Sequence, residues 1–179
     1  ESLRRRLALA HRVFGDPWPD VSDEALLARA EEWLDLDALA AGRGSDATSG
    51  LRGLLGWRES ARLDEVVPET ITVPSGSRIR VDYPEPGSDT SPVLAVKLQE
   101  CFGWTDGPTV CDGRVRVVLH LLSPARRPLA VTDDLASFWA SVYPAVRVEN
   151  RGRYSKHPWP EDPMTATPTK RTNRALRGN

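Results

Sequence analysis

R-V-R-V-V-L-H-L-L-S-P-A-R-R-P-L-A-V-T-D-D-L-A-S-F-W-A-S-V-Y, from Arg114 to Tyr143, changes its structural period halfway along. Val115, Val117, Leu119 and Leu121 alternate, which predicts a strand with one buried face. Val118 and Leu122 make the other face partly apolar, so the strand is expected to be central. Ser123 to Arg127 turns the chain, and Leu129 to Val131 returns it. From Thr132 the period becomes helical. Thr132 reads as the cap, with Asp133 and Asp134 at the positive helix end. Leu135, Phe138, Trp139, Val142, Tyr143 and Val146 form one stripe. Pro144 must either kink this helix or open a second one at its first turn. Strand, turn, strand and helix predict an α+β fold, with the helix packed on a small, mostly antiparallel sheet.

The hairpin upstream agrees. Thr70 to Val73 reads as a strand, Pro74-Ser75-Gly76-Ser77 as a turn, and Arg78 to Tyr83 alternates. Ile79, Val81 and Tyr83 share one face; Arg78, Arg80 and Asp82 share the wet one. Val93 to Val96 fits a strand, while Leu98, Cys101 and Phe102 fit a helix that Gly103 stops. Before Pro68 the pattern is helical. Leu3, Leu7, Ala10 and Phe14 recur at helical spacing until Gly15-Asp16-Pro17. Ser22 is a good N-cap before Asp23 and Glu24, with Val21 and Leu26 at staple positions. Leu26, Leu27, Ala30, Trp33 and Leu34 read as one apolar face. Gly42 to Gly50 reads as a mobile loop, and short helices follow around 51–55 and 59–66. The expected organisation is a helical segment 1–68, an α+β domain 69–150 and a Pro-rich basic strap and tail 151–179. The residues after Pro163 are expected to be disordered unless a partner orders them.

Composition narrows the class. The chain has 179 residues, 40% of them hydrophobic, with six Trp. That supports a real core and argues against wholesale disorder. The net charge of −1 hides an imbalance. From Arg147 onward eight Lys/Arg face three Asp/Glu, which gives +5 and leaves −6 for the rest. Cys101 and Cys111 form no metal-ligand spacing and read as free thiols in a reducing compartment. No apolar run is long enough to span a membrane, and no signal peptide is visible. The chain opens on Glu1 inside a helical pattern, which suggests a piece of a longer protein.

Catalytic motifs are missing. There is no G-x-x-x-x-G-K-[ST] phosphate loop and no G-x-G-x-x-G. Asp23-Glu24-Ala25-Leu26 lacks the final His of a D-E-x-H box and has its own capping explanation. His11, His120 and His157 are scattered, and Asp133-Asp134 serve a helix start. The cations say more. Arg78 and Arg80 share a strand face, Arg114 and Arg116 share another, and Arg126-Arg127 sit in a turn. R-G-R-Y-S-K-H-P-W-P-E-D-P, Arg151 to Pro163, sets Arg151, Arg153, Lys156 and His157 beside Tyr154 and Trp159. Such interleaving suits a single nucleic-acid strand, whose phosphates meet cations and whose bases stack on rings. It equally suits a strap whose two aromatics cover the domain's own core.

Four blocks carry a resemblance: V-P-S-G-S-R-I-R-V-D-Y (73–83), P-V-L-A-V-K-L-Q-E-C-F-G (92–103), L-H-L-L-S-P-A-R-R-P-L-A-V-T-D-D-L-A-S-F-W (119–139) and the strap (151–163). The chain resembles the C-terminal region of HrpB-type bacterial DExH-box ATP-dependent helicases. One departure is Val148-Glu149-Asn150, where a more basic stretch is expected. The resemblance implies a cytoplasmic, RNA-directed parent whose ATP and Mg are held by upstream RecA-like motor domains. No catalytic residue, cofactor or metal site is implied in this piece. Its expected partners are those motor domains and single-stranded RNA or DNA, and no membrane. The candidate contact residues are Arg78, Arg80, Arg126, Arg127, Arg151, Arg153, Tyr154, Lys156, His157 and Trp159. A docking module without nucleic-acid contact is the alternative.

Overall fold

In the computed structural model, which describes residues 1–177, the chain forms two units. One comprises Glu1–Glu69, Tyr83–Ser91 and Val110–Val115; the other comprises Thr70–Asp82, Pro92–Thr109 and Arg116 onward.

The first unit is built on α1 (Ser2–Phe14), followed by α2 (Asp23–Ala28), α3 (Ala30–Trp33), α4 (Leu36–Ala40), α5 (Ala47–Gly53) and α6 (Trp57–Val66). Leu3, Leu7, Leu9 and Ala10 bury one face of α1, together with Leu63, Val66 and Val67 at the end of α6. Arg6 sits in this core with 0% exposure. Its guanidinium donates to the Val67 carbonyl and to the outer carboxylates of Asp64 and Glu69, so each of its three nitrogens has a partner. Tyr83 closes the same region by donating to the Pro68 carbonyl at 2.7 Å. Ser22 caps α2 as its sequence predicts, accepting from the Ala25 amide.

The expected single face from Leu26 to Leu34 does not form. The helix breaks at Arg29, which leaves α1's neighbour α2 short and Leu27 77% exposed. The loop expected over 42–50 is also cut short. Asp46 accepts from the Thr48 and Ser49 amides and starts α5 inside it. Gly50 then lies against the Trp33 carbonyl, where any Cβ would collide, so α3 and α5 meet through a residue read from sequence as a breaker.

The second unit carries a five-stranded sheet in the order β1-β2-β3-β6-β7. Its strands are β1 (Thr70–Thr72), β2 (Arg78–Asp82), β3 (Val93–Lys97), β6 (Val118–Leu122) and β7 (Pro128–Thr132). Three neighbouring pairs are antiparallel, and β3 with β6 is parallel, which is the α+β, mostly antiparallel sheet expected. A second, two-stranded sheet joins β4 (Thr109–Val110) to β5 (Val115–Arg116). The run from Arg114 to Leu122 is therefore two strands, because Val117 leaves the first ladder to donate to the Pro108 carbonyl.

Leu94, Val96, Leu119 and Leu121 bury the sheet's inner face. Phe102, Phe138, Trp139 and Tyr143 complete this core as an aromatic cluster with centroids 5.0–6.5 Å apart, mostly edge to face. Asp134, rather than Thr132, caps α7 (Leu135–Ser137) by accepting from the Ser137 amide. Thr132 instead uses its hydroxyl on Asp134's own backbone, which positions that cap. A π turn over Phe138–Val142 leads into α8 (Tyr143–Arg151), and Pro144 stands in α8's first turn, where no amide is needed.

The stretch after Pro163 is ordered by the domain itself. Thr169 is buried and its amide donates to Gln99, while Asn173, at the start of α9 (Asn173–Arg177), donates to Lys156. Two backbone bonds at spaced positions anchor a segment that its composition marks as a tail. Residues 178–179 lie outside the described residues.

Candidate nucleic-acid interface

Strand register places Arg78, Lys97 and the Arg126–Arg127 turn at one end of the second unit's sheet. β2 begins at Arg78 and runs antiparallel to β3, which ends at Lys97. Lys97 pairs with Leu122, the last residue of β6, and the turn that follows carries Arg126 and Arg127. That turn is closed by Ser123 donating to the Arg127 carbonyl and Arg126 donating to the Ser123 carbonyl, with Arg126 held at φ 62°. Arg78 and Arg80 both stand exposed on the outer sheet face; the Arg78 guanidinium donates to the Thr70 hydroxyl at 3.0 Å.

The strap returns to this same end. The residue after Lys97 opens a single 3-10 turn, Leu98–Cys101, and Gln99 in that turn donates to the Pro158 carbonyl and accepts from Thr169. His157 is thereby brought near Lys97. Burial first, and then the Lys97 charge, holds its imidazole below the usual histidine range. Arg151, Arg153 and Lys156 are exposed.

The two strap aromatics part company. Trp159 is 9% exposed, its indole donates to the Tyr154 carbonyl, and its own carbonyl accepts from Arg147. Tyr154 is half-buried, with the Arg153 guanidinium over its ring 5.9 Å from the centre. Arg114 lies in the first unit over the Phe14 ring, and Arg116 stands exposed in the second.

Charge separates the units sharply. The first carries 10 Lys/Arg and 17 Asp/Glu, a formal −7; the second carries 14 and 8, a formal +6. In the first unit Arg4, Arg5, Arg6, Arg12, Arg29 and Arg62 each meet a carboxylate. In the second, among the described residues, Arg147 alone does so, with Glu161 at 3.3 Å.

Residues 30–163 match the family described as ATP-dependent helicase C-terminal, HrpB_C. The chain belongs to that family. An ATP-dependent RNA helicase HrpB from Escherichia coli (strain K12) is 46% identical over 97% of this chain. This HrpB-family chain spans only 22% of that relative's length. The crystal structure of E. coli DExH-box NTPase HrpB is also similar, with a TM-score of 0.85 at 46% identity, over 96% of this chain and 22% of that one. A crystal structure of Escherichia coli DEAH/RHA helicase HrpB gives 0.70 at 44% identity, over 88% of this chain and 20% of that one.

In this HrpB-type domain, Lys97 is the residue that sequence reading passed over. It sits in a stretch whose period fits either strand or helix, and only the β3–β6 register shows which end it occupies. The thiols offer no chemistry at the sheet end. Cys101 is fully buried and its thiol is pushed far up by burial, and burial also raises Cys111 to about 11. Among the described residues no three His, Cys, Asp or Glu side chains gather as a metal-ligand set. Nor is any described helix long and apolar enough to cross a membrane.

Proposed function

We propose that this domain is an accessory module of an ATP-dependent helicase that holds or guides a single nucleic-acid strand. The strand lies across the sheet end and strap, with Arg78, Arg80, Lys97, Arg126, Arg127, Arg151, Arg153 and Lys156 meeting phosphates and Tyr154 offering a stacking face. The observation that carries this reading is the +6 unit whose cations, Arg147 apart, meet no carboxylate among the described residues. ATP and Mg belong to the motor that an upstream portion of the parent supplies, in the cytoplasm. RNA is the expected strand, since the E. coli relative is named an RNA helicase.

A docking role without nucleic acid has its own support. Leu27 and Trp57 in the first unit are each 77% exposed, apolar surface that a docked partner would cover. The two readings separate in one experiment: fluorescence anisotropy of a labelled single-stranded RNA titrated with the 179-residue chain at low ionic strength. Saturable binding that weakens with salt supports the strand role. No change in anisotropy leaves the docking role.

A further inference from the structure

The described residues contain three clefts worth weighing. One of about 290 Å³ in the first unit is lined by His11 and Arg12 but also by Asp20, Glu85 and Asp89. Another, of about 280 Å³, carries Glu31 and Glu32. The third lies in the second unit between strap and tail, holds about 470 Å³, and is lined by Ser155, Lys156, Thr172, Asn173 and Arg174. It alone of the three has no carboxylate in its wall. Its two cations, Lys156 and Arg174, are exposed and meet no carboxylate elsewhere among the described residues. Two hydroxyls and a side-chain amide complete a wall rich in donors.

The cleft is also held in shape. The Asn173 amide donates to the Lys156 carbonyl at 2.7 Å, and the Asn173 side chain donates to the Ser155 carbonyl at 3.3 Å. One backbone bond and one side-chain bond thus tie the two walls together, and the Lys156 and Arg174 side chains both line the space between them. A guest matched to two cations and two hydroxyls is a tetrahedral oxyanion. The strap beside it is the part of the domain read above as strand-binding.

We infer that this cleft is a phosphate subsite, which takes one phosphate group of the bound strand between Lys156 and Arg174. The inference rests on the strand-holding reading, and its test separates the two. The strand's phosphate can be an internal diester or a 5′-terminal monoester, so oligonucleotides with 5′-hydroxyl and 5′-phosphate ends are compared.

The 179-residue chain is titrated with inorganic phosphate while its backbone amides are followed by NMR, against chloride at equal ionic strength. Phosphate should shift the Lys156, Thr172 and Asn173 amides saturably, and chloride should not. In RNA binding, Arg174→Ala should flatten the log–log salt slope by about 0.7, the share of one single-strand phosphate. Arg174→Lys should restore it, which a collapse of the tail would not allow. Equal loss with both oligonucleotides assigns an internal diester; loss confined to the 5′-phosphorylated one assigns the terminus. If RNA binds with an unchanged slope in Arg174→Ala and phosphate shifts none of these amides, the subsite is refuted and the strand-holding reading stands. If wild type binds no RNA, that reading fails, and the subsite as a strand contact fails with it.

Discussion

Single residues decide how the basic unit is built. Trp139 is 5% exposed, its ring packs on Phe102, Phe138 and Tyr143, and its indole donates to the Trp104 carbonyl at 2.7 Å. Trp139→Ala removes the largest ring of the cluster and leaves that carbonyl without its donor. The expected cost is about 3–5 kcal/mol, read as a lowered urea midpoint. A near-neutral midpoint would mean that the helix stripe is not core. Tyr143 gives a second check through pH. Burial pushes its phenol up to about 12 from an ordinary 10.0. The folded state therefore keeps the proton after the unfolded chain has lost it. That stabilisation is complete below pH 10 and is lost as pH rises toward about 12. Tyr143→Phe should flatten the alkaline fall in stability between those values, and an unchanged profile would contradict the assignment.

At the scale of elements, Gly50 and the strap show where pattern alone misleads. Read by propensity, Gly50 ends a loop, and replacing it with Ala should stabilise a helix by about 1 kcal/mol. In the fold its missing Cβ is the space occupied by the Trp33 carbonyl. Gly50→Ala should therefore destabilise, by about 1–3 kcal/mol, as overpacking does. A raised melting temperature would contradict this contact. The strap's aromatics are separable in the same way. Trp159→Ala should lower stability, since the ring is buried and bonded to Tyr154. Tyr154→Ala should keep the fold and weaken single-strand binding by about 1–3 kcal/mol. Reversed effects, seen in paired unfolding and binding titrations, would place the stacking face at Trp159. Strands β2 and β6 and helix α1 were legible from periodicity because each buries one face. The break at Arg29, the Asp134 cap and the exit of Val117 from the ladder were not, because tertiary partners chose among locally equal options. The packed tail was illegible for a like reason: Thr169 is ordered by Gln99, which is remote in sequence.

At the scale of the whole molecule, charge is what the proposed strand-holding role turns on. The sequence shows a basic end, but it cannot show that Arg78 of β2, Lys97 of β3 and the β6–β7 turn lie at one sheet end, since strand register decides that. Nor can it show which cations are already paired. The split into −7 and +6 units, with carboxylates spent on the first unit's arginines, is a property of the fold. It predicts that single-strand affinity is mainly electrostatic and tolerant of sequence. The most direct measurement is the salt dependence of single-stranded RNA binding by the 179-residue chain and by its Arg151→Ala/Arg153→Ala/Lys156→Ala variant. Each phosphate neutralised contributes a slope of about −0.7, so the variant's log–log slope should be flatter by about two units while its unfolding midpoint stays near wild type. Equal slopes for the two proteins, or a wild-type chain that binds no RNA at low salt, would contradict the account.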